Sequence, residues 1–361
     1  MTKLVPITLL LFFILGTSQA QELTFEEYNP ESTLVVPENP VTRAKFPVVD
    51  VHSHHNMVDK DLSVVVRAMD TLNLAVLVNL SGGSGEKMKD GIANIKKNYP
   101  NRFLQFANVD FSGVGNPGWG NRAAAQLKED HANGAAGLKI FKSLGLRNND
   151  IYGNRIPVDD PRLDPVWEMC ATLGIPVLIH SADPKSFWDP MDSRNERWLE
   201  LKTRPRRKRN ASDPAPWEQI IAEQHNLFRK HPETTFINAH MGWYANNLDR
   251  LSELMEEFPN MYVGIGAIIA ELGRQPRRAK AFFTTYQDRI LFGKDSWQPS
   301  EFPTYFRVLE TADEYFPYHK KYHAFWAMYG LDLPDSILKK VYYQNALKIL
   351  PSLDRSLFPR P

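Results

Sequence analysis

The 361-residue chain has 43% hydrophobic and 24% charged side chains, a balance that excludes a disordered polymer or a collagen-like fibre. A formal net charge of +1 gives the chain as a whole no attraction to nucleic acid or to an anionic membrane. The one cysteine, Cys170, cannot form an internal disulfide, so stability must come from a packed core.

The N-terminus opens on Lys3 and an almost wholly apolar run over residues 4–16. Thr17-Ser18-Gln19-Ala20 follows, with small residues where a signal peptidase reads. Residues 1–20 are therefore expected to be a signal peptide, cut after Ala20, that sends the chain to the periplasm or the medium. The run is too short to cross a bilayer comfortably, so no membrane association is expected after cleavage. Residues 21–46 are rich in Pro, Glu and Asn and read as an extended arm.

From residue 48 short apolar runs alternate with amphipathic stretches. Strands are expected over 48–52, 75–80, 103–109, 137–142, 175–180, 235–240, 261–265 and 290–292. Helices are expected over 62–72, 86–98, 121–132, 165–173, 217–230, 246–258 and 276–286. Further helical patterns cover 302–315 and 336–350, and a short Pro-containing tail fills 351–361. The turn Ser81-Gly82-Gly83-Ser84-Gly85 lacks a Walker ending and reads as a turn, not a phosphate cradle. Residues 181–216 form a long connection holding the basic run Arg204-Pro205-Arg206-Arg207-Lys208-Arg209. In a neutral, exported chain that run reads as solvated loop, and the connection reads as a cover over a site.

Eight strand–helix units in order predict an α/β fold, a (β/α)₈ TIM barrel over residues 47–350, with an N-terminal arm and a C-terminal helical extension. A doubly wound open sheet is the main alternative. It is disfavoured because no Gly-x-Gly-x-x-Gly turn follows the first strand.

In such a barrel, chemistry sits at the C-terminal ends of the strands. His52 and His54 occupy one face of strand one, two residues apart. His180 ends strand five, His240 ends strand six, and Asp295 follows strand eight. Each alone is an ordinary polar strand end. Four imidazoles and one carboxylate converging on one mouth indicate a metal site, and imidazole with carboxylate suits zinc. His131, His225, His231, His319 and His323 fall in helices or in the extension and receive no role. Lys139 and Lys142 lie on strand four, where alternation lets only one point inward. Trp188, Trp243 and Trp297 flank the expected mouth and are candidates for substrate contact. Cys170 sits in a helical pattern and reads as buried packing.

The ordered set Asp50-Val51-His52-Ser53-His54, His180, His240 and Gly293-Lys294-Asp295 resembles the amidohydrolase superfamily. More narrowly, it resembles the amidohydrolase-related branch that contains aminocarboxymuconate-semialdehyde decarboxylase-like enzymes. The resemblance covers about residues 48–350. It implies that His52, His54, His180 and Asp295 ligate one divalent metal, most often zinc, and that His240 and Asp295 are catalytic. It implies a small-molecule substrate, with Lys139 offering a charge for a substrate carboxylate. In some superfamily members a carboxylated lysine on strand four bridges two metals; the branch resembles one-metal sites. Lys294 stands where the family often has Ser or Thr. The first expectation is a hydrolase that cleaves an amide, ester or lactone with a metal-activated water. A non-oxidative decarboxylase and a non-catalytic ligand-binding barrel are the alternatives. The sequence leaves a homo-oligomer open.

Overall fold

The computed structural model describes residues 23–24, 27–58, 60–210, 212 and 214–360. The expected signal peptide lies outside the described residues. The chain divides into two compact units, residues 1–35 and 36–361. The described part of the first is exposed chain with a turn in which the Tyr28 N–H donates to the Thr24 carbonyl at 3.0 Å.

The second unit is the expected barrel. Its strands are β1 (Val48–Ser53), β2 (Leu74–Asn79), β3 (Phe103–Asn108), β4 (Gly137–Ile140), β5 (Val177–Ile179), β6 (Phe236–Asn238), β7 (Met261–Gly264) and β8 (Ile290–Leu291). They run parallel, each beside the next in chain order. Helices α1 (Ser63–Leu72), α2 (Gly85–Asn98), α3 (Trp119–Asn133), α4 (Asp164–Leu173), α5 (Trp217–Lys230), α6 (Leu248–Glu257) and α7 (Pro276–Thr285) make the crossovers. The strands read as apolar runs because both faces are covered: every residue of β1 is buried. The helices bury one stripe each. In α5 that stripe includes Ile220, Gln224, Leu227 and Phe228, the spacing of a single helical face. Residue boundaries follow local chemistry: Asn247 caps α6 by accepting from the Arg250 N–H at 3.0 Å, and Gly174 ends α4 in the left-handed region.

Three departures from the expected pattern matter. Strands β4, β5 and β6 stop at residues 140, 179 and 238, earlier than the apolar runs, so Lys142, His180 and His240 lie just beyond the ladder. The single helix expected over 302–315 ends at Glu310, giving α8 (Phe302–Glu310). The helix expected over 336–350 holds a wider π-helical stretch at Lys340–Gln344, where the Val341 carbonyl accepts from the Phe292 N–H at 3.0 Å.

The barrel seam between β8 and β1 is closed sparingly. The Val51 N–H donates to the Phe292 carbonyl at 3.0 Å, and the Asp295 N–H to the His52 carbonyl at 2.8 Å. Between them the buried Asp50 carboxylate spans the gap: Oδ1 accepts from the His52 N–H at 2.9 Å and from the Lys294 N–H at 3.1 Å. Gly293 permits this approach, because a Cβ there would meet the His52 Cβ at 3.0 Å. Residues 36–46 run along the barrel, with Asn39 donating twice to the Asp313 carboxylate at 2.7 Å. Cys170 is fully buried in the core, and burial pushes its thiol pKa up. Among the described residues no helix is long and apolar enough to cross a membrane.

Replacing Asp50 with Ala strands two buried N–H groups at the seam. The expected loss is about 2–4 kcal/mol of unfolding free energy for the metal-free chain. Asp50→Asn keeps an acceptor and should lose clearly less. Urea unfolding of the two variants beside wild type checks the order.

Candidate metal centre

The C-terminal mouth of the barrel brings together all five residues expected there. His52 Nε2 lies 3.5 Å and His54 Nε2 3.6 Å from the same Asp295 oxygen, Oδ1. Two donors each about 2.1 Å from one ion at a tetrahedral angle sit about 3.4 Å apart, so this spacing is that of co-ligands. Ligand atoms of His52, His240 and Asp295 all lie within 4.8 Å of one another. His180 joins through His240: His180 Nδ1 and His240 Nε2 are 3.2 Å apart.

Hydrogen bonds assign the tautomers of this pair. Nδ1–H of His240 donates to the Gly266 carbonyl at 2.7 Å, which leaves Nε2 with its lone pair. His180 Nδ1–H then donates to that lone pair. The lone pair of His180 Nε2 is buried and has no hydrogen-bond partner. An imidazole nitrogen left without a partner is what an ion would satisfy, although His180 stands outside the 4.8 Å group of His52, His240 and Asp295. The donor set fits a divalent cation.

Backbone strain presents these groups. His240, Met241, Gly242 and Trp243 have φ of 57°, 51°, 60° and 64°, a left-handed turn directly after β6, and Asp295 has φ of 82° after β8. Trp243 supports the turn. Its ring lies over the His240 ring at 4.5 Å and 21°, and its Nε1–H donates to the Ser181 carbonyl at 3.0 Å. His54 is steered by Ser81, with Nδ1 2.9 Å from Oγ.

Electrostatics keep the imidazoles in their metal-binding form. Burial, followed by the positive field of Lys139, holds His52 well below the usual histidine range. Burial lowers His180 and His240 as well and brings His54 down to about 4. Lys139 is itself buried, and burial lowers its pKa to about 7 against the pull of Asp295. Its Nζ has no hydrogen-bond partner and stands 5.3 Å from the Phe141 ring centre.

The surroundings correct several expectations. Lys142 also reaches the mouth. Because β4 ends at Ile140, strand alternation does not govern it, and its ammonium pairs with Asp183. Trp243 lines the cavity beside His180, His240 and Asp295, a space of about 170 Å³. Trp188 and Trp297 are not among its lining residues. Trp188 is buried in the core with Nε1–H donating to the Ala215 carbonyl at 3.0 Å, and Trp297 packs on His55 at 5.1 Å. Sequence reasoning missed the far wall of the cavity, where Arg197, Glu200, Arg207, Lys320 and His323 stand. Arg197 and Glu200, three apart, pair with each other, and Glu200 also pairs with Arg207. The one local signal was the basic run 204–209; Lys320 and His323 come from a distant segment without a motif.

A family model described as amidohydrolase matches residues 50–351. The chain belongs to the amidohydrolase family. No curated protein matches it. Among solved structures, this amidohydrolase-family chain resembles a dihydroxybenzoic acid decarboxylase from Polaromonas sp. JS666 with bound manganese and the inhibitor 2-nitroresorcinol, at 14% identity and a TM-score of 0.56, covering 86% of this chain and 99% of that one. It likewise resembles 2,6-dihydroxybenzoate decarboxylase in complex with 2,6-dihydroxybenzoate, at 14% identity and a TM-score of 0.55, covering 85% and 99%. A TIM-barrel protein from Bordetella bronchiseptica gives 14% identity and a TM-score of 0.54, covering 84% and 98%. At such identity these likenesses establish the shared barrel fold.

The lowered histidine pKa values set a pH dependence. Below about pH 6.5 the folded chain's imidazoles bind fewer protons than the unfolded chain's, so their contribution to stability is full above that pH and lost on the way down to about 4, while Asp50, raised to about 7, offsets part of that loss. Thermal melts of the metal-free chain should show Tm falling across that window. A flat Tm between pH 6.5 and 4 would contradict the buried, neutral imidazoles.

Proposed function

We propose that this chain is a metal-dependent enzyme acting on a small carboxylic acid, with loss of CO₂ as the preferred reaction. The observation that carries the reading is Lys139. It is a buried ammonium without a hydrogen-bond partner beside the His/Asp cluster, and a substrate carboxylate would supply the missing counter-charge. His52, His54, His180 and Asp295 hold the ion in this reading. A bound divalent ion, zinc by donor type or manganese as in the Polaromonas neighbour, supplies a Lewis acid that polarises a substrate oxygen. Lys139 fixes the carboxylate in register with the cluster. Trp243 gives a flat wall for a planar acid. His240, with Nδ1–H committed to Gly266, would use Nε2, once released from the His180 Nδ1–H, to take up a proton from solvent and hand it to the carbon that loses its carboxyl group. The net exchange is one proton gained by carbon for one CO₂ released.

Hydrolysis of an amide, ester or lactone is the second reading. It is favoured by the Asp295 side chain, which is 32% exposed in the cavity and placed to take a proton from an entering water.

Two measurements test the proposal. Elemental analysis should find about one divalent ion per wild-type chain and a loss of most of it in His180→Ala. On a panel of aromatic and unsaturated acids beside amides and lactones, CO₂ release should fall at least about 100-fold in Lys139→Met, with metal content retained. Acid release from neutral amides or lactones, indifferent to Lys139, would move the assignment to hydrolysis.

The N-terminal leader supports export. The mature chain would begin at Gln21, and N-terminal sequencing of the exported protein should read Gln-Glu-Leu-Thr. An exported chain that keeps Met1 would overturn the cleavage.

A further inference from the structure

Asp295 carries two burdens that its own contacts do not fully meet. Its backbone has φ of 82°, a region that L side chains rarely adopt, and its carboxylate must face His52 and His54. The main-chain bond from its N–H to His52 fixes one side of the residue. Its two neighbours fix the other. Lys294 has a side chain only 1% exposed, which is unusual for a lysine and costly unless fully partnered. Nζ donates to the Ser296 carbonyl at 2.7 Å and lies 3.2 Å from Ser296 Oγ. It also forms an ion pair with Glu301. The Lys294 N–H meanwhile donates to Asp50 Oδ1. Lys294 thus closes a ring around Asp295: residue 296 is tied to Glu301 at the start of α8, and residue 294 is tied to β1.

We propose that Lys294 and Glu301 are positioning residues that hold the Asp295 carboxylate at the metal centre; this rests on the metal-ligand reading above. The Phe302 ring, 5.7 Å from Nζ, shields the ion pair from water. His319 Nε2 stands 3.5 Å from the same Glu301 oxygen, so the segment after α8 abuts the clamp. A buried pair with only a fold-stabilising role would leave metal affinity untouched. A clamp on a strained ligand makes affinity depend on the pair, since partners that orient a ligand are worth about 10–100-fold in metal binding.

The test is zinc titration of the folded metal-free chain against a chromophoric chelator, for wild type, Lys294→Met, Glu301→Gln and the double variant. Glu301→Gln keeps volume and an acceptor on a partly exposed side chain, so it carries the test even where Lys294→Met fails to fold. Each single variant should bind zinc about 10–100-fold more weakly. The double should be no weaker than the worse single, because the pair acts as one unit. The cobalt-substituted variants should show altered absorption bands. Zinc affinity within about twofold of wild type in Glu301→Gln, however far its Tm falls, overturns the clamp alone. A wild-type chain that takes up no zinc overturns both the clamp and the metal centre.

Discussion

One carboxylate governs how the barrel ends meet. Asp50 reaches across the seam where β8, two residues long, cannot build a ladder against β1. Burial raises its pKa to about 7, with the two accepted N–H bonds pulling the other way. The cost is justified by position. The N–H groups it satisfies belong to His52 and Lys294, one a donor in the cluster and the other the neighbour of Asp295. Closing the sheet and aiming two side chains of the His/Asp cluster are therefore the same structural act.

The mouth above that seam is polar, with His52, His240 and Lys139 buried and His54 and Asp295 partly exposed. Four imidazoles, one ammonium and one carboxylate share a space in which burial is the largest influence on the histidines and on Lys139. The groups act on one another in opposite senses: Lys139 disfavours protonated histidines, whereas Asp295 favours charge on Lys139 and His240. The site is strongly polar, and the Lys139 ammonium and His180 Nε2 in it have no hydrogen-bond partner.

Much of this was legible in the sequence because strands covered on both faces are largely apolar runs, and polar residues at or just past their C-terminal ends stand out. That is why His52, His54, His180, His240 and Asp295 could be placed at one mouth without coordinates. Alternation failed for Lys142 because the hydrogen-bonded ladder ends at Ile140 while the apolar-looking run continues. Aromatic residues near the site in sequence were a poor guide: Trp188 and Trp297 turn into packing, and only Trp243, held by the left-handed turn, faces the cavity. Nothing local announces Arg197, Glu200, Lys320 or His323 as one wall, because the two segments meet only through tertiary contact, with His323 Nε2 3.7 Å from the Glu200 carboxylate.

That wall has a consequence for how the opening could be redesigned. The donors stand on barrel strand ends, whereas the opposite face of the cavity is contributed by the 181–216 connection and by the chain around residues 320–323. Trp326 knits these pieces together, with the guanidinium groups of Arg197 and Arg274 at 5.3 and 3.8 Å from its ring centre. The strand-end cluster and the opposite wall thus belong to separate segments of the chain. Changes in the two outer segments would alter the shape and charge of the opening without touching the strand ends below.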